Sequence, residues 1–210
     1  MFTPALVLLA TLAVAPAMRA DTVAIAPTLQ TLDLAVDPRR DSWSGSYEAT
    51  LGVRAPVKRL ALRLRGPIVN RVALRDRSGA NPVVYAQRGA DSLLVEASRT
   101  LAPGTVGLLV AFGGRRADLP PGLAGPPGGP WRLERGAGVV APAWPEGTPR
   151  SRWRLAVHVP VQFGVRSSLP VLERSLRDGW RTVVFASRGA IEPDSLGLEI
   201  ARIATSGAAR

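Results

Sequence analysis

The 210 residues contain no cysteine and one histidine, His158. Disulfide frameworks, thiolate nucleophiles and thiolate metal sites are thereby excluded, as is any zinc site that needs two imidazoles from this sequence. Lysine is almost as scarce: Lys58 stands among 27 basic residues of which all the others are arginine. There is no G-x-S-x-G segment, and a Ser-His-Asp arrangement could recruit only His158. The carboxylates Glu173, Asp178, Glu192 and Asp194 sit at turns or next to arginine, where they serve solubility rather than paired acid/base work.

What the chain has in quantity is arginine, glycine and proline. The net charge is +11, from 27 basic and 16 acidic residues, with 21 Gly and 19 Pro. With its many alanines, this skew resembles the coding bias of a GC-rich genome, which raises the charge without selecting a partner. The arginine clusters (Arg39-Arg40, Arg63 with Arg65, Arg115-Arg116, Arg150 with Arg152 and Arg154) are short and lie in or beside strand-like segments. Solvated strand faces and guarded sheet edges have that look. Nucleic acid is disfavoured as a partner, and a polyanion-binding surface remains one alternative function. Hydrophobic residues make up 46% and charged residues 20%, a composition that folds.

Residues Ala5 to Ala15 read ALVLLATLAVA, followed by Pro16-Ala17 and Met18-Arg19-Ala20. Eleven residues suit a signal-peptide core and fall short of the roughly 20 that span a bilayer. Cleavage is expected after Ala17 or Ala20, which makes residues 1–20 a signal peptide and 21–28 a flexible leader. The mature chain is expected in the periplasm or medium, with no membrane span and no lipid anchor.

From Leu29 onward apolar residues alternate with polar ones between turn residues, the pattern of an all-β domain over 29–204. Leu29, Leu32, Leu34 and Val36 end at Asp37-Pro38; Trp43, Gly45, Tyr47, Ala49, Leu51 and Val53 follow on alternate positions, so a hairpin is expected. Leu60, Leu62 and Leu64 alternate with Arg59, Arg63 and Arg65, and short strands are expected at Ile68–Leu74, Val83–Ala86, Leu93–Ala97 and Val106–Phe112. Between Gly113 and Pro130 eleven of eighteen residues are Gly or Pro, which predicts a loop without ladder strands. Trp153, Leu155, Val157 and Val159 then alternate with Arg152, Arg154 and His158. Strands at Phe163–Val165, Leu169–Leu172, Trp180–Phe185 and Leu196–Ile203 complete a meander, with a turn at Arg177-Asp178-Gly179 and a frayed tail over 205–210.

The segment PAWPEGTPRSRWRLAV, Pro142 to Val157, has a spacing similar to F-P-x-F-D-E-P-x-x-[KR]-x-x-[FW]-x-[LV] of the aminopeptidase N family of zinc metallopeptidases. LDLAVDPRRDSWSGSYEATLGV resembles that family's opening hairpin, and LAVHVPVQFGVRSSLPVLERSLRDGWRTVVFA resembles its strand, V-P turn, S-N-[LMG]-P corner and closing W-x-x-x-x-F strand. The similarity runs from Leu29 to Ala204. It implies a saddle-like, twisted β-sandwich of two sheets, the fold of the family's amino-terminal domain, with Pro142, Trp144, Glu146, Arg150 and Trp153 as structural motif positions. Pro145 and Gly147 depart from the motif, and no T-Q pair precedes it. Neither the family's H-E-x-x-H zinc segment nor its G-x-M-E-N segment is present in the 210 residues.

The expectation is therefore a non-catalytic β-sandwich without metal or cofactor, whose partner is another polypeptide, such as a separately encoded peptidase domain. The alternative is a front piece of a split zinc aminopeptidase. His158 is expected at a surface or rim, on the face of the arginines. The tryptophans are expected mainly in the core, with Trp131 and Trp144, beside the Pro/Gly loop, as candidates for an exposed docking surface.

Overall fold

The computed structural model describes residues 25–40, 42–64, 67–88, 92–115, 123–124, 130–133, 150–192 and 195–203. The proposed signal peptide, the motif residues Pro142, Trp144 and Glu146, much of the Gly/Pro-rich stretch and the tail lie outside them.

Period-two alternation produces strands almost throughout, and no α-helix occurs among the described residues. In chain order they are β1 (Ile25–Val36), β2 (Ser42–Val53), β3 (Val57–Arg63), β4 (Ile68–Asp76), β5 (Gly79–Asn81), β6 (Val83–Arg88), β7 (Ser92–Leu101), β8 (Gly104–Arg115), β9 (Leu123–Ala124), β10 (Trp131–Leu133), β11 (Arg152–Pro160), β12 (Phe163–Ser167), β13 (Val171–Arg177), β14 (Trp180–Ala186) and β15 (Leu198–Arg202). They form an eight-stranded sheet in the order β13-β14-β11-β1-β2-β8-β4-β5, a four-stranded sheet β12-β15-β10-β9 and a three-stranded sheet β3-β7-β6.

The large sheet buries one face. On β2, Trp43, Tyr47, Ala49, Leu51 and Val53 are buried while Ser44 and Glu48 are exposed; on β8, Val106, Leu108, Val110 and Phe112 alternate with exposed or half-buried neighbours. These side chains join one hydrophobic cluster with Leu60, Leu62, Leu93 and Val95 of the three-stranded sheet and with Trp131, Phe163, Val165 and Ile200 of the four-stranded sheet. The expected all-β sandwich is thus present, its second layer divided between two small sheets. Each fully buried aliphatic or aromatic side chain stabilises this core by roughly 1.5–3 kcal/mol relative to exposure.

Three expectations are corrected. The first strand begins at Ile25 rather than Leu29, with a register shift between Pro27 and Leu29. The Gly/Pro-rich stretch does contain ladder strands: β8 continues through Gly113 and Gly114, opposite Ser44 and Trp43, and β9 pairs with β10. Glycine keeps its N–H, and at Gly114 the missing side chain makes room for the Trp43 ring, whose Nε1–H donates to the Arg115 carbonyl at 3.2 Å. Finally, the chain is not a simple meander, because β1 pairs in parallel with β11, from Leu29 beside Arg152 to Ala35 beside His158.

Gly45 sits between β1 and β8, opposite Leu34 and Phe112. A Cβ there would lie 2.7 Å from the Asp33 carbonyl oxygen and 2.8 Å from Phe112 Cε2, whereas one at Gly52 meets nothing nearer than 3.7 Å. Gly45→Ala should therefore cost about 1–3 kcal/mol through overpacking, and Gly52→Ala should gain roughly 0.5–1 kcal/mol by stiffening the unfolded chain. Urea midpoints of the two variants check this; equal midpoints would contradict the packing described.

Candidate binding face

Among the described residues, no strand covers the second face of the large sheet, which is left open. Across its middle run Thr31, Asp33 and Ala35 of β1, Ser44, Ser46 and Glu48 of β2, and Leu109, Ala111 and Gly113 of β8, flanked by Arg71 and Arg75 on β4 and by Arg152 and Arg154 on β11. Small side chains in the centre and long charged ones at the sides leave two depressions. One, of about 560 Å³, is lined by Ala35, Ser44, Ile68, Asn70, Gly113 and Trp180 among others. The second, of about 420 Å³, is lined by Thr31, Glu48, Thr50, Arg71, Ala73 and Arg75 among others.

His158 lies on this face in a chain of hydrogen bonds that joins three strands. Its Nε2 is 3.1 Å from Asp33 Oδ1 and 3.2 Å from Oδ2, and its Nδ1 is 2.8 Å from Thr182 Oγ1. With Nε2–H donating to the carboxylate, the neutral ring accepts the Thr182 hydroxyl proton, and the charged ring donates to the same oxygen. Hydrogen bonding to the Asp33 carboxylate raises the His158 pKa above its ordinary 6.5, against an opposing effect of partial burial. The order hydroxyl, imidazole, carboxylate is that of a nucleophilic relay. Thr182, however, lies mid-strand on β14 between β11 and β13, where backbone N–H groups are consumed by the two ladders. The two ladders leave no free backbone N–H at Thr182 to stabilise an oxyanion. The relay ties strands together.

Both nitrogens of the one imidazole are engaged, and no group of three or more His, Cys, Asp or Glu side chains among the described residues could hold a metal ion.

The structure scatters the sequence-predicted site residues. Arg150 pairs with Glu192 at 3.1 Å, both exposed. Trp153 is buried against Tyr47, ring centroids 6.5 Å apart. Trp131 is 1% exposed and paired through β10 with Ile200, so the expectation that it marks a docking surface is overturned. A tryptophan facing the inter-sheet core is withdrawn from water by the second layer, which the adjacent loop composition did not reveal. Among the described residues, the tryptophan that does reach solvent is Trp180, at 38% exposure beside the larger depression. Its signal was its place directly after the Arg177-Asp178-Gly179 turn, at the mouth of a hairpin.

The geometry defines a β-sandwich module with one open sheet face. No family model matches the sequence, and no curated protein matches it. Among solved structures, a mutant M1 zinc metallopeptidase from Deinococcus radiodurans aligns with TM-score 0.69 and 24% identity over 85% of this chain and 42% of its own. The M1 zinc metallopeptidase from the same organism aligns with TM-score 0.66 and 23% identity over the same shares. A structure described as a two-domain M1 zinc metallopeptidase, a mutant bound to L-tryptophan, gives TM-score 0.66 and 23% identity over 85% and 43%. The chain therefore has the fold of part of such an enzyme, as the motif resemblance implied, and spans less than half the length of those proteins.

The Asp33–His158 pair predicts a pH dependence. A folded-state pKa above the unfolded value means that the stabilisation is complete below about pH 6.5 and is lost as pH rises through the folded pKa. Asp33→Asn should lower the His158 titration midpoint, followed by NMR of its ring protons, and flatten the stability profile across that window. An unmoved midpoint would refute the pairing.

Proposed function

We propose that the chain is an exported, non-catalytic β-sandwich module that binds another polypeptide across the open face of its large sheet. One observation carries the reading: the fold aligns with 85% of this chain but only 42% of a zinc metallopeptidase. A domain that in those proteins is part of a longer chain has a surface suited to packing against protein. The open face supports this with small central side chains, two depressions and flanking charges of both signs. The second reading, favoured by the same partial coverage, is that these residues form the amino-terminal part of a zinc aminopeptidase whose catalytic part is supplied separately. Export rests on the apolar run Ala5–Ala15.

The purified chain should release nothing from aminoacyl 4-nitroanilides, with or without added Zn²⁺, and turnover by the chain alone would overturn the non-catalytic reading. A tagged chain should retain a stoichiometric polypeptide from its native extract, and Arg71→Glu with Arg75→Glu should cut that retention at least tenfold. Equal retention by the variant would remove the open face from the account. If a zinc peptidase subunit is the protein retained, the second reading replaces the first. For export, intact-mass measurement of the natural protein should find an amino terminus at Met18 or Asp21; a mature chain beginning at Met1 would exclude it.

A further inference from the structure

Strand β13 forms one edge of the large sheet, paired with β14 on one side and with no strand on the other among the described residues. Every residue from Val171 to Arg177 is exposed, including Leu172 at 62% and Leu176 at 63%. The strand has no proline, and its one irregularity is a register shift between Val171 and Glu173. A regular ladder edge therefore runs from Glu173 to Arg177, with exposed leucine on it. Unprotected edges of this kind are templates for pairing with another strand.

We propose that β13 pairs antiparallel with β13 of a second copy of this chain, about a two-fold axis through Ser175, to give one continuous sheet. The backbone allows it. Asp178 and Gly179, with φ of 51° and 77°, make a two-residue turn flanked by the pair Arg177 and Trp180. Such a turn hydrogen-bonds its flanking residues to each other, so Arg177 and Ser175 turn their N–H and C=O towards β14. Arg174 and Leu176 then turn theirs outwards. With Ser175 on the axis, Arg174 of each copy lies opposite Leu176 of the other, and each such pair exchanges two backbone hydrogen bonds.

The charges select this register. Glu173, Ser175 and Arg177 share the open face and read negative, neutral, positive. The two-fold through Ser175 sets each Glu173 opposite the other copy's Arg177, and the Arg174 stem covers the exposed Leu176. An axis through Arg174 would oppose two arginines and one through Glu173 two glutamates, and like charges directly opposite are destabilising. Arg177 now lies 3.3 Å from Asp178, both almost fully exposed, a contact weak enough to yield to a cross-strand partner. This inference stands apart from the function proposed above, since it uses the backbone edge and side chains of β13 and neither of the two depressions.

The test is the mass of the mature chain in solution by analytical ultracentrifugation and light scattering, at micromolar to 100 μM concentrations. A concentration-dependent dimer is expected. Arg177→Glu, and separately Glu173→Arg, should raise its dissociation constant at least tenfold; Glu173→Arg combined with Arg177→Glu should restore it. Mixing the two single variants should also restore a dimer, because one then presents two arginines and the other two glutamates. Both substitutions are at exposed positions, and unchanged thermal midpoints will show that the fold is intact. A strictly monomeric wild type, or a dimer indifferent to these exchanges, would overturn the proposal.

Discussion

The parallel pairing of β1 with β11 is the constraint on which the rest of the structure depends. β11 carries β14, and β14 carries β13, so three of the eight strands of the large sheet hang from this one ladder. Its register is held by more than alternation. Gln30, fully buried, donates from Nε2 to Ser151 Oγ at 2.6 Å and accepts at Oε1 from the Tyr47 hydroxyl at 2.5 Å. A slip of one residue would turn the apolar set of β11 outward and leave these polar groups buried without partners, each costing about 1–3 kcal/mol. The same ladder brings Asp33 to His158, 125 residues away in sequence.

That ladder also marks the limit of what the sequence discloses. Alternation is local, so the β1–β2 hairpin, the leucines of β3, the strands β4, β6, β7 and β8 and the Arg177-Asp178-Gly179 turn could all be read from neighbouring residues. A parallel pair leaves no local trace, since no turn joins its members. Asp33 could therefore not be recognised as the partner of His158, nor Thr182 as the third member. Glycine and proline content misled at Gly113 and Gly114, where the needed property was a backbone able to pair beside a large indole. The error at Trp131 was one of layer: composition locates a residue along the chain, while exposure depends on what the opposite sheet covers.

The two faces of the large sheet follow from this arrangement. One is closed by two small sheets and is packed with Leu, Val, Phe and Trp. The other has no second layer among the described residues and carries Ala, Ser, Thr and Gly in its centre, residues that add little apolar area for water to disfavour. Arginines on β4 and β11, with Glu48 and Asp33 between them, keep that face wet. Among the described residues, the arginines of β4 and those of β11 are separated by β8, β2 and β1.

Because β1 is interior to the large sheet, the order in which the chain is synthesised matters. The first hairpin can zip as soon as β2 leaves the ribosome, yet its other side must wait for β11. At roughly 5–20 residues per second the delay is on the order of ten seconds. Throughout it β1 presents a bare row of amides to any other nascent or extended polypeptide. A strand left half-paired for that long is open to mispairing, so the hazard is set by topology rather than by size.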